Sequence, residues 1–169
     1  DAFGATDSGD PLASRNHGSA VFSKLEFWSQ YRGPVAGRLS FQLEALGQLA
    51  SRPLLSSEEM GLGGRSFLRG YDYRERSGDN GIAGSAEIRF DLADQPKPIK
   101  AVQLYLFADG GVVDNYNQGF GDGSLASTGG GIRVSAGKFD GSVEIGFPLK
   151  DRLGGSHRPR LSFTLGTRF

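Results

Sequence analysis

The sequence predicts an all-β protein, specifically an antiparallel transmembrane β-barrel portion, with about 7–8 strands of a larger barrel. Three observations predict this fold. Apolar and polar residues alternate with a period of two along seven segments, which is typical of strands with two unlike faces. Long and short connections alternate between these segments, as in outer-membrane barrels with short periplasmic turns and longer outer loops. The chain also has 27 glycines among 169 residues, and glycine at this level disfavours helices.

The seven predicted strands are each about 10–13 residues long, which is long enough to cross a bilayer at a tilt. They span residues 21–31, 37–50, 82–92, 99–109, 125–136, 139–147 and 160–169. Residues 41–50 also tolerate a helix, but their apolar positions recur at every second residue and therefore favour a strand. A strand end is predicted at residues 2–6, and Gly33 and Pro34 predict the turn after the first strand.

Each segment has an apolar face and a polar face. In the fourth segment, Leu104 and Leu106 lie opposite Tyr105 and Asp109, and the same alternation holds in the other segments. The charged residues on the polar faces include Lys24, Arg38, Glu44, Glu87, Arg89, Asp109, Arg133, Asp140, Glu144 and Arg168. These charges fit the aqueous lumen of a wide barrel with its apolar face toward lipid. A small soluble barrel that binds a ligand would give the same alternation with its charged face outward, so that alternative stays open.

Composition argues against several functional classes. The formal net charge is zero and the basic residues form no stripe, which gives no electrostatic basis for binding nucleic acid. There is no cysteine and therefore no thiolate metal site or cysteine nucleophile. Neither a Gly-x-Ser-x-Gly elbow nor calcium-loop spacing occurs, and no apolar run reaches the roughly 20 residues of a transmembrane helix. We therefore expect no enzyme activity, no cofactor and no metal.

The connection between the second and third segments, residues 51–81, is unusually long at about 30 residues. It carries buried-type aromatic residues, including Phe67 and Tyr71, interspersed with Arg65, Arg69, Arg74 and Arg76. Disordered linkers are poor in aromatic residues, so this loop is expected to pack against the rest of the fold. Arg69 has two interpretations, a solvated loop arginine or an arginine folded into the lumen and paired with a strand carboxylate.

The last predicted strand ends on an aromatic residue. Its apolar face carries Leu161, Phe163, Leu165 and Phe169. Such a strand is what an outer-membrane assembly machinery reads as a sorting signal; the alternative is that the sequence simply stops there.

Several ordered stretches match the motifs of a known family: residues 47–60, Gly63-Gly64, Phe67-Leu-Arg-Gly-Tyr71, Gly78-Asp79, Ala86-Glu-Ile-Arg89, Phe107-Ala-Asp-Gly-Gly111 and residues 161–169. In this order they resemble the TpsB-type two-partner secretion transporters, which are the FhaC/ShlB haemolysin-activator family in the superfamily of BamA. The resemblance covers the C-terminal half of the barrel, over about residues 20–169. Leu68 stands where the family commonly has valine, a conservative departure.

The resemblance implies a protein-translocation pore in the bacterial outer membrane that secretes a partner exoprotein. It implies a sixteen-stranded barrel preceded by periplasmic POTRA domains, so that the N-terminal half of the barrel and these domains are missing from this sequence. The implied partners are membrane lipid, the exoprotein substrate and the barrel-assembly machinery. Two alternatives are a BamA-like insertase of outer-membrane proteins and the barrel of a patatin-type autotransporter.

The resemblance also implies a site. Gly63, Gly64, Phe67, Arg69, Gly70 and Tyr71 would form the motif of a plug or lid loop. Arg69 would pair inside the lumen with Asp109, and Glu87 would be its second partner. Gly64 and Gly70 would let the backbone turn tightly against the barrel wall.

Overall fold

The structure, a computed structural model, describes residues 14–15, 17–93, 95–116, 121–150 and 158–168. These residues form nine strands: β1 (Lys24–Ala36), β2 (Leu39–Ala50), β3 (Met60–Leu62), β4 (Arg76–Gly78), β5 (Asn80–Asp91), β6 (Ile99–Asp114), β7 (Gly123–Ala136), β8 (Phe139–Pro148) and β9 (Arg160–Thr167). Seven of them make one antiparallel sheet in the order β1-β2-β5-β6-β7-β8-β9. The all-β prediction is therefore confirmed, and residues 41–50 are strand.

The described ranges hold no helix long and apolar enough to cross a bilayer. The predicted strand end at residues 2–6 lies outside the described residues, as does Phe169.

Two predicted boundaries are wrong. β1 begins at Lys24 and runs through Gly33 and Pro34, which were expected to form a turn. Pro34 is tolerated because the register of β1 shifts just after Pro34, and such bulges are where proline occurs in sheets. The chain reverses instead at Gly37, whose φ of 53° suits glycine.

The other wrong boundary is the end of β6. The expected loop over residues 110–123 begins only after Asp114, because residues 110–114 continue the sheet. Their partners are the first residues of β5 and of β7, for instance Val113 with Gly81 and with Gly123. Glycine favours loops, but Gly110 and Gly111 lie within a fully paired strand.

The two faces of the sheet differ sharply in exposure. We call the face covered by the connection between β2 and β5 the inner face, and the opposite one the outer face. Glu87, Arg89 and Asp109 are buried on the inner face, whereas Ile88 and Leu106 are exposed on the outer face. The outer face exposes large apolar side chains along the whole sheet: Leu25, Phe27, Tyr31, Leu43, Leu49, Ile82, Ile88, Phe90, Leu104, Leu106, Val112, Phe139, Val143, Ile145, Phe147, Leu161, Phe163 and Leu165.

This arrangement is the reverse of a soluble barrel, in which the apolar face is inside. Soluble proteins rarely expose continuous apolar patches above a few hundred Å², and larger ones mark an interaction with a partner or a membrane. The exposed apolar face therefore argues against the soluble ligand-binding alternative.

The apolar core of the described residues lies between the sheet and the covering connection. Leu62, Leu68 and Tyr71 from the connection pack on the inner-face residues Val113 and Leu125. The connection thus contributes most of the core, in agreement with the expectation that its aromatic residues pack against the rest of the fold.

Candidate functional site

The connection between β2 and β5, which we call the inner loop (residues 51–79), contains a short hairpin that sequence reasoning missed. Strand β3 pairs with β4 over three residue pairs, from Met60 with Gly78 to Leu62 with Arg76. Three-residue strands are too short for a visible alternation, so no pattern in the sequence reveals them. The hairpin brings the two ends of the inner loop together and leaves residues 63–75 as a compact excursion onto the inner face.

The glycines of the motif permit the turns of this excursion. Gly63 and Gly64 have φ values of 105° and 122°, a region that side chains strongly disfavour. A Cβ atom on Gly63 would also lie only 2.2 Å from the carbonyl oxygen of Asp72. The turn at residues 63–64 is thus closed tightly against the chain that returns from the motif.

Gly70 is the point of closest approach to the wall. A Cβ atom there would lie 2.9 Å from the carbonyl carbon of Phe147, from the nitrogen of Pro148 and from the Cβ of Ser127. On the wall itself, a Cβ on Gly146 would lie 2.8 Å from the carbonyl oxygen of Arg69. Backbone touches backbone here because both positions are glycine, and Gly146 is a site residue that sequence reasoning did not find.

Arg69 is buried, with 6% of its surface exposed, and it binds three carboxylates. Its backbone N–H and Nε donate to Oδ2 of Asp109 at 3.0 and 3.1 Å, and Nη2 donates to Oδ1 at 2.9 Å. Nη1 donates to Glu87 at 2.8 Å and to Glu144 at 3.3 Å. Nη2 also donates to the hydroxyl of Ser85 at 3.0 Å. The structure thus brings Arg69 together with Asp109 and Glu87.

Glu87 is shared among three arginines. Besides Arg69, it accepts hydrogen bonds from Arg89 at 2.5 Å and from Arg133 at 2.6 and 3.1 Å. Glu144 completes the cluster from β8, where it also accepts a hydrogen bond from the hydroxyl of Tyr105 at 2.9 Å. The network therefore joins the inner loop to β5, β6, β7 and β8, and its charges are mutually compensated, as buried charges must be.

Two aromatic rings stack against the guanidinium groups of Arg69 and Arg133. The guanidinium carbon of Arg69 lies 3.5 Å from the ring centre of Phe107, and that of Arg133 lies 3.7 Å from the ring centre of Tyr105. The rings fill the space above two glycines of β7, because Cβ atoms on Gly129 and Gly131 would lie 2.6 and 2.7 Å from the nearest ring carbons of Phe107 and Tyr105. The glycine run in β7 therefore makes room for the rings that stack on the arginines.

The ionisation of Arg69 follows from this setting. Burial alone would lower the pKa of Arg69, but the hydrogen bonds and charges of Asp109, together with Glu87 and Glu144, raise it above its ordinary value. Arg69 therefore stays positively charged at every physiological pH, and the pairing is permanent while the inner loop is docked.

The side chains around Arg69 in the motif are also buried. Tyr71 and Leu68 are fully covered, and Phe67 is 7% exposed. The hydroxyl of Tyr71 donates toward the carbonyl oxygens of Ala126 and Lys150 at 2.8 and 2.9 Å, and it accepts from the Lys150 N–H at 3.0 Å. Tyr71 thus anchors the inner loop to the end of β8 through hydrogen bonds. Leu68 has a φ of 59° in the sharp bend before Arg69.

The other predicted site residues lie apart from this network. Leu161, Phe163 and Leu165 of β9 are exposed on the outer face, well away from the inner loop. Sequence reasoning missed Glu144 and Phe107 as partners of Arg69, although Glu144 belonged to the predicted charged face. Among the described residues, no group of His, Asp and Glu side chains could hold a metal ion.

The family model for the haemolysin secretion/activation protein ShlB/FhaC/HecB matches residues 1–134, which is most of the chain. The chain belongs to the ShlB/FhaC/HecB family. The resemblance inferred from the motifs is thereby confirmed, and the matched region contains the whole inner loop and Asp109.

Individual relatives agree with this family. The chain is 28% identical over 143 residues to the outer membrane transporter CdiB of Dickeya dadantii (strain 3937), a match that covers 83% of this chain and 25% of the relative. It is 27% identical over 129 residues to the outer membrane transporter CdiB of Escherichia coli O6:K15:H31 (strain 536 / UPEC), covering 76% of this chain and 22% of that one. The chain thus spans about a quarter of the length of these relatives.

Solved structures agree on the fold. The fold matches CdiB from Escherichia coli with a TM-score of 0.79 at 23% identity, over 93% of this chain and 30% of that one. It also matches CdiB from Acinetobacter baumannii with a TM-score of 0.67 at 22% identity, over 85% of this chain and 26% of that one.

Proposed function

We propose that this chain is the C-terminal part of a bacterial outer-membrane β-barrel that secretes a partner exoprotein through its lumen. Family membership supports secretion over the BamA-like insertase and the patatin-type autotransporter. The relatives named as outer membrane transporters support the location. The apolar outer face and the charged inner face suit a wall between lipid and an aqueous passage.

The proposed partners follow from the two faces and the edges of the sheet. The outer face meets membrane lipid, and the inner face passes an extended exoprotein. Strands β1 and β9 are the two edges of the described sheet. Edge strands have unpaired backbone groups, which a bilayer does not tolerate, so they pair with further strands of a barrel of sixteen. The proposal also includes POTRA domains outside this chain and assigns no role to nucleic acid. The barrel-assembly machinery would recognise the apolar residues of the last strand, Leu161, Phe163, Leu165 and Phe169.

Within the barrel, residues 51–81 act as a plug or lid whose latch is the pairing of Arg69 with Asp109. One observation carries this proposal: a loop arginine is buried on the inner face against carboxylates of three strands. Removing one partner of a buried ion pair costs about 3–5 kcal/mol because the other charge is left uncompensated. The latch is therefore strong enough to determine whether the inner loop stays docked, and export needs no cofactor, nucleotide or catalytic residue of the chain.

The test is Arg69→Ala in the complete transporter, with the exoprotein measured in the medium and the transporter measured in the outer membrane. We expect normal amounts of assembled barrel, judged by heat-modifiable migration, and at least tenfold less secreted exoprotein. Arg65→Ala is the matched control, because Arg65 lies in the same loop but is exposed, and its side chain contacts only Thr164 among the hydrogen bonds of the described residues. Unchanged secretion at normal protein levels would contradict the proposal. A general loss of other outer-membrane proteins would instead favour the insertase.

A further inference from the structure

Another buried carboxylate, that of Asp79, lies outside the Arg69 network, where β4 passes into β5. Its side chain is fully buried, and it collects three hydrogen bonds. Oδ1 accepts from Arg15 at 2.5 Å and from the backbone N–H of Leu54 at 2.7 Å, and Oδ2 accepts from the backbone N–H of Tyr116 at 3.0 Å. These three donors come from three segments that are far apart in the sequence. The carboxylate of Asp79 therefore links these three segments through hydrogen bonds.

The backbone of Asp79 is bound as well. Its N–H donates to the side-chain oxygen of Asn115 at 3.1 Å, and its carbonyl accepts from the side chain of Gln48 at 3.0 Å. The next residue, Asn80, accepts a hydrogen bond from the N–H of Ala50 at 2.8 Å. Every polar group of Asp79 thus has a partner, and both ends of the inner loop are held at this one point.

Arg15 belongs to a short segment, residues 14–19 without residue 16, that lies across the start of the inner loop. We call this segment the strap. Ser19 forms a parallel bridge with Leu54, and its N–H donates to the carbonyl of Pro53 at 2.9 Å. Arg15 also pairs with Glu59 at 3.1 Å, one residue before β3. Among the described residues, Arg15 is the strap side chain that binds Asp79. Their ion pair is therefore the contact that holds the strap against the base of the inner loop.

The ion pair of Arg15 with Asp79 is separate from the Arg69 network. Asn80 pairs with Asp114 and Ser85 pairs with Asp109, so the two sites lie about five residues apart along the sheet. At about 3.3 Å per residue, the separation is roughly 17 Å. None of the partners of Asp79 described above is a partner of Arg69, and sites this far apart with no shared partner act additively.

We propose that Asp79 and Arg15 are positioning residues that hold the inner loop at its base, independently of the Arg69 latch, and that the loop leaves the lumen only when the strap is released. This inference rests on the proposed secretion function. It adds a second determinant of gating: the latch sets the position of the loop tip, and the strap sets the position of the loop base. Weakening either one makes undocking more frequent, and weakening both multiplies the two effects.

The test uses a cysteine that reports undocking. Ser127→Cys is nearly isosteric, Ser127 is fully buried beneath Gly70, and the chain has no native cysteine. In the complete transporter in outer-membrane vesicles, we would measure its labelling rate with a polar maleimide. Arg15→Gln and Asp79→Asn should each raise the rate severalfold, Arg15→Lys should largely restore it, and Arg15→Gln combined with Arg69→Ala should give the product of the single effects. Arg52→Gln, an exposed arginine of the same loop, is the control.

Two results would overturn the proposal. One is a labelling rate in Arg15→Gln equal to that of the parent. The other is loss of heat-modifiable migration in both Arg15→Gln and Asp79→Asn, which would make the pair a requirement for folding only. The readout is independent of secretion: faster labelling in a protein that exports no exoprotein would retain the strap and reject the proposed function.

Discussion

The backbone N–H of Arg69 and its guanidinium bind the same carboxylate, that of Asp109, through three hydrogen bonds of 2.9–3.1 Å. The carboxylate therefore positions the main chain of the motif as well as its side chain. A bidentate pairing of this kind gives geometric specificity that a point charge lacks. Lysine at this position would keep the charge and the backbone bond but lose the planar fork.

This geometry predicts an order of effects among substitutions at the latch. Arg69→Lys should undock the inner loop less than Arg69→Ala, because the charge of Asp109 remains compensated. Asp109→Asn should undock it at least as much as Arg69→Ala, because an amide places N–H donors against the donors of Arg69. A cost of about 3 kcal/mol corresponds to about a 100-fold increase in the undocked population. Protease cleavage of the loop in native outer membranes measures this population.

The matched control for this series is Asp91→Asn, since Asp91 is also a strand aspartate but is exposed at the far end of β5. It should leave the cleavage rate unchanged. Equal cleavage in Arg69→Lys and Arg69→Ala would show that the fork contributes nothing.

Gly146 predicts a steric effect at the wall. Gly146→Ala would place a methyl group 2.8 Å from the carbonyl oxygen of Arg69, so the docked backbone must move away from β8. Overpacking of this kind costs about 1–3 kcal/mol. We expect faster loop cleavage and less secretion with a normally assembled barrel. Gly110→Ala is the control, because a Cβ there meets nothing within 4 Å, and it should behave like the parent protein.

Tyr71 predicts a hydrogen-bonding effect separate from its packing. Tyr71→Phe keeps the buried ring but removes the hydroxyl that serves the backbone of Ala126 and Lys150. Leaving a buried polar group unsatisfied costs about 1–3 kcal/mol. Loop cleavage should therefore rise by roughly tenfold, which corresponds to 1.4 kcal/mol. Tyr73→Phe, at a residue that is 79% exposed, should have no effect, and equal behaviour of the two variants would refute the role of the hydroxyl.

The outer face predicts the cost of a misplaced charge. Leu106 is 71% exposed near the middle of β6. Leu106→Arg should destabilise the inserted barrel by about 2–4 kcal/mol, since arginine at the bilayer midplane of a barrel costs that much. The folded fraction after refolding into lipid vesicles, read as heat-modifiable migration, measures it. Gln30→Arg on the inner face, beside Glu44, is the control and should refold normally. Equal refolding of both variants would contradict the assignment of lipid and lumen faces.

The strands and their faces were predictable because both are local properties of the sequence. Period-two alternation places Leu104 and Leu106 opposite Tyr105 and Asp109 with no knowledge of the neighbours, and the structure keeps this assignment. The boundaries were less predictable because glycine and proline have more than one use. Gly110 and Gly111 continue β6 and Pro34 lies in β1, since pairing with an adjacent strand outweighs the local turn preference.

The pairing of Arg69 with Asp109 was an expectation from motif resemblance, and its further partners were not predicted. Glu144 and Phe107 become neighbours of Arg69 through the register of four strands, which no local pattern encodes. The same holds for Gly146 and for the partners of Asp79, which come from segments far apart in the sequence. The short hairpin of β3 and β4 is too brief to produce a pattern at all.

By itself, the sequence determined that this protein is an all-β chain with one apolar and one charged face, because side-chain alternation depends only on the geometry of a single strand. Which face is exposed was decided only by the tertiary structure, since alternation is the same for a soluble barrel and a membrane barrel. The inner loop covers the charged face and buries Arg69 there, so that the apolar face stays exposed. Buried charges require partners from several strands, and only the folded sheet brings those partners to one place.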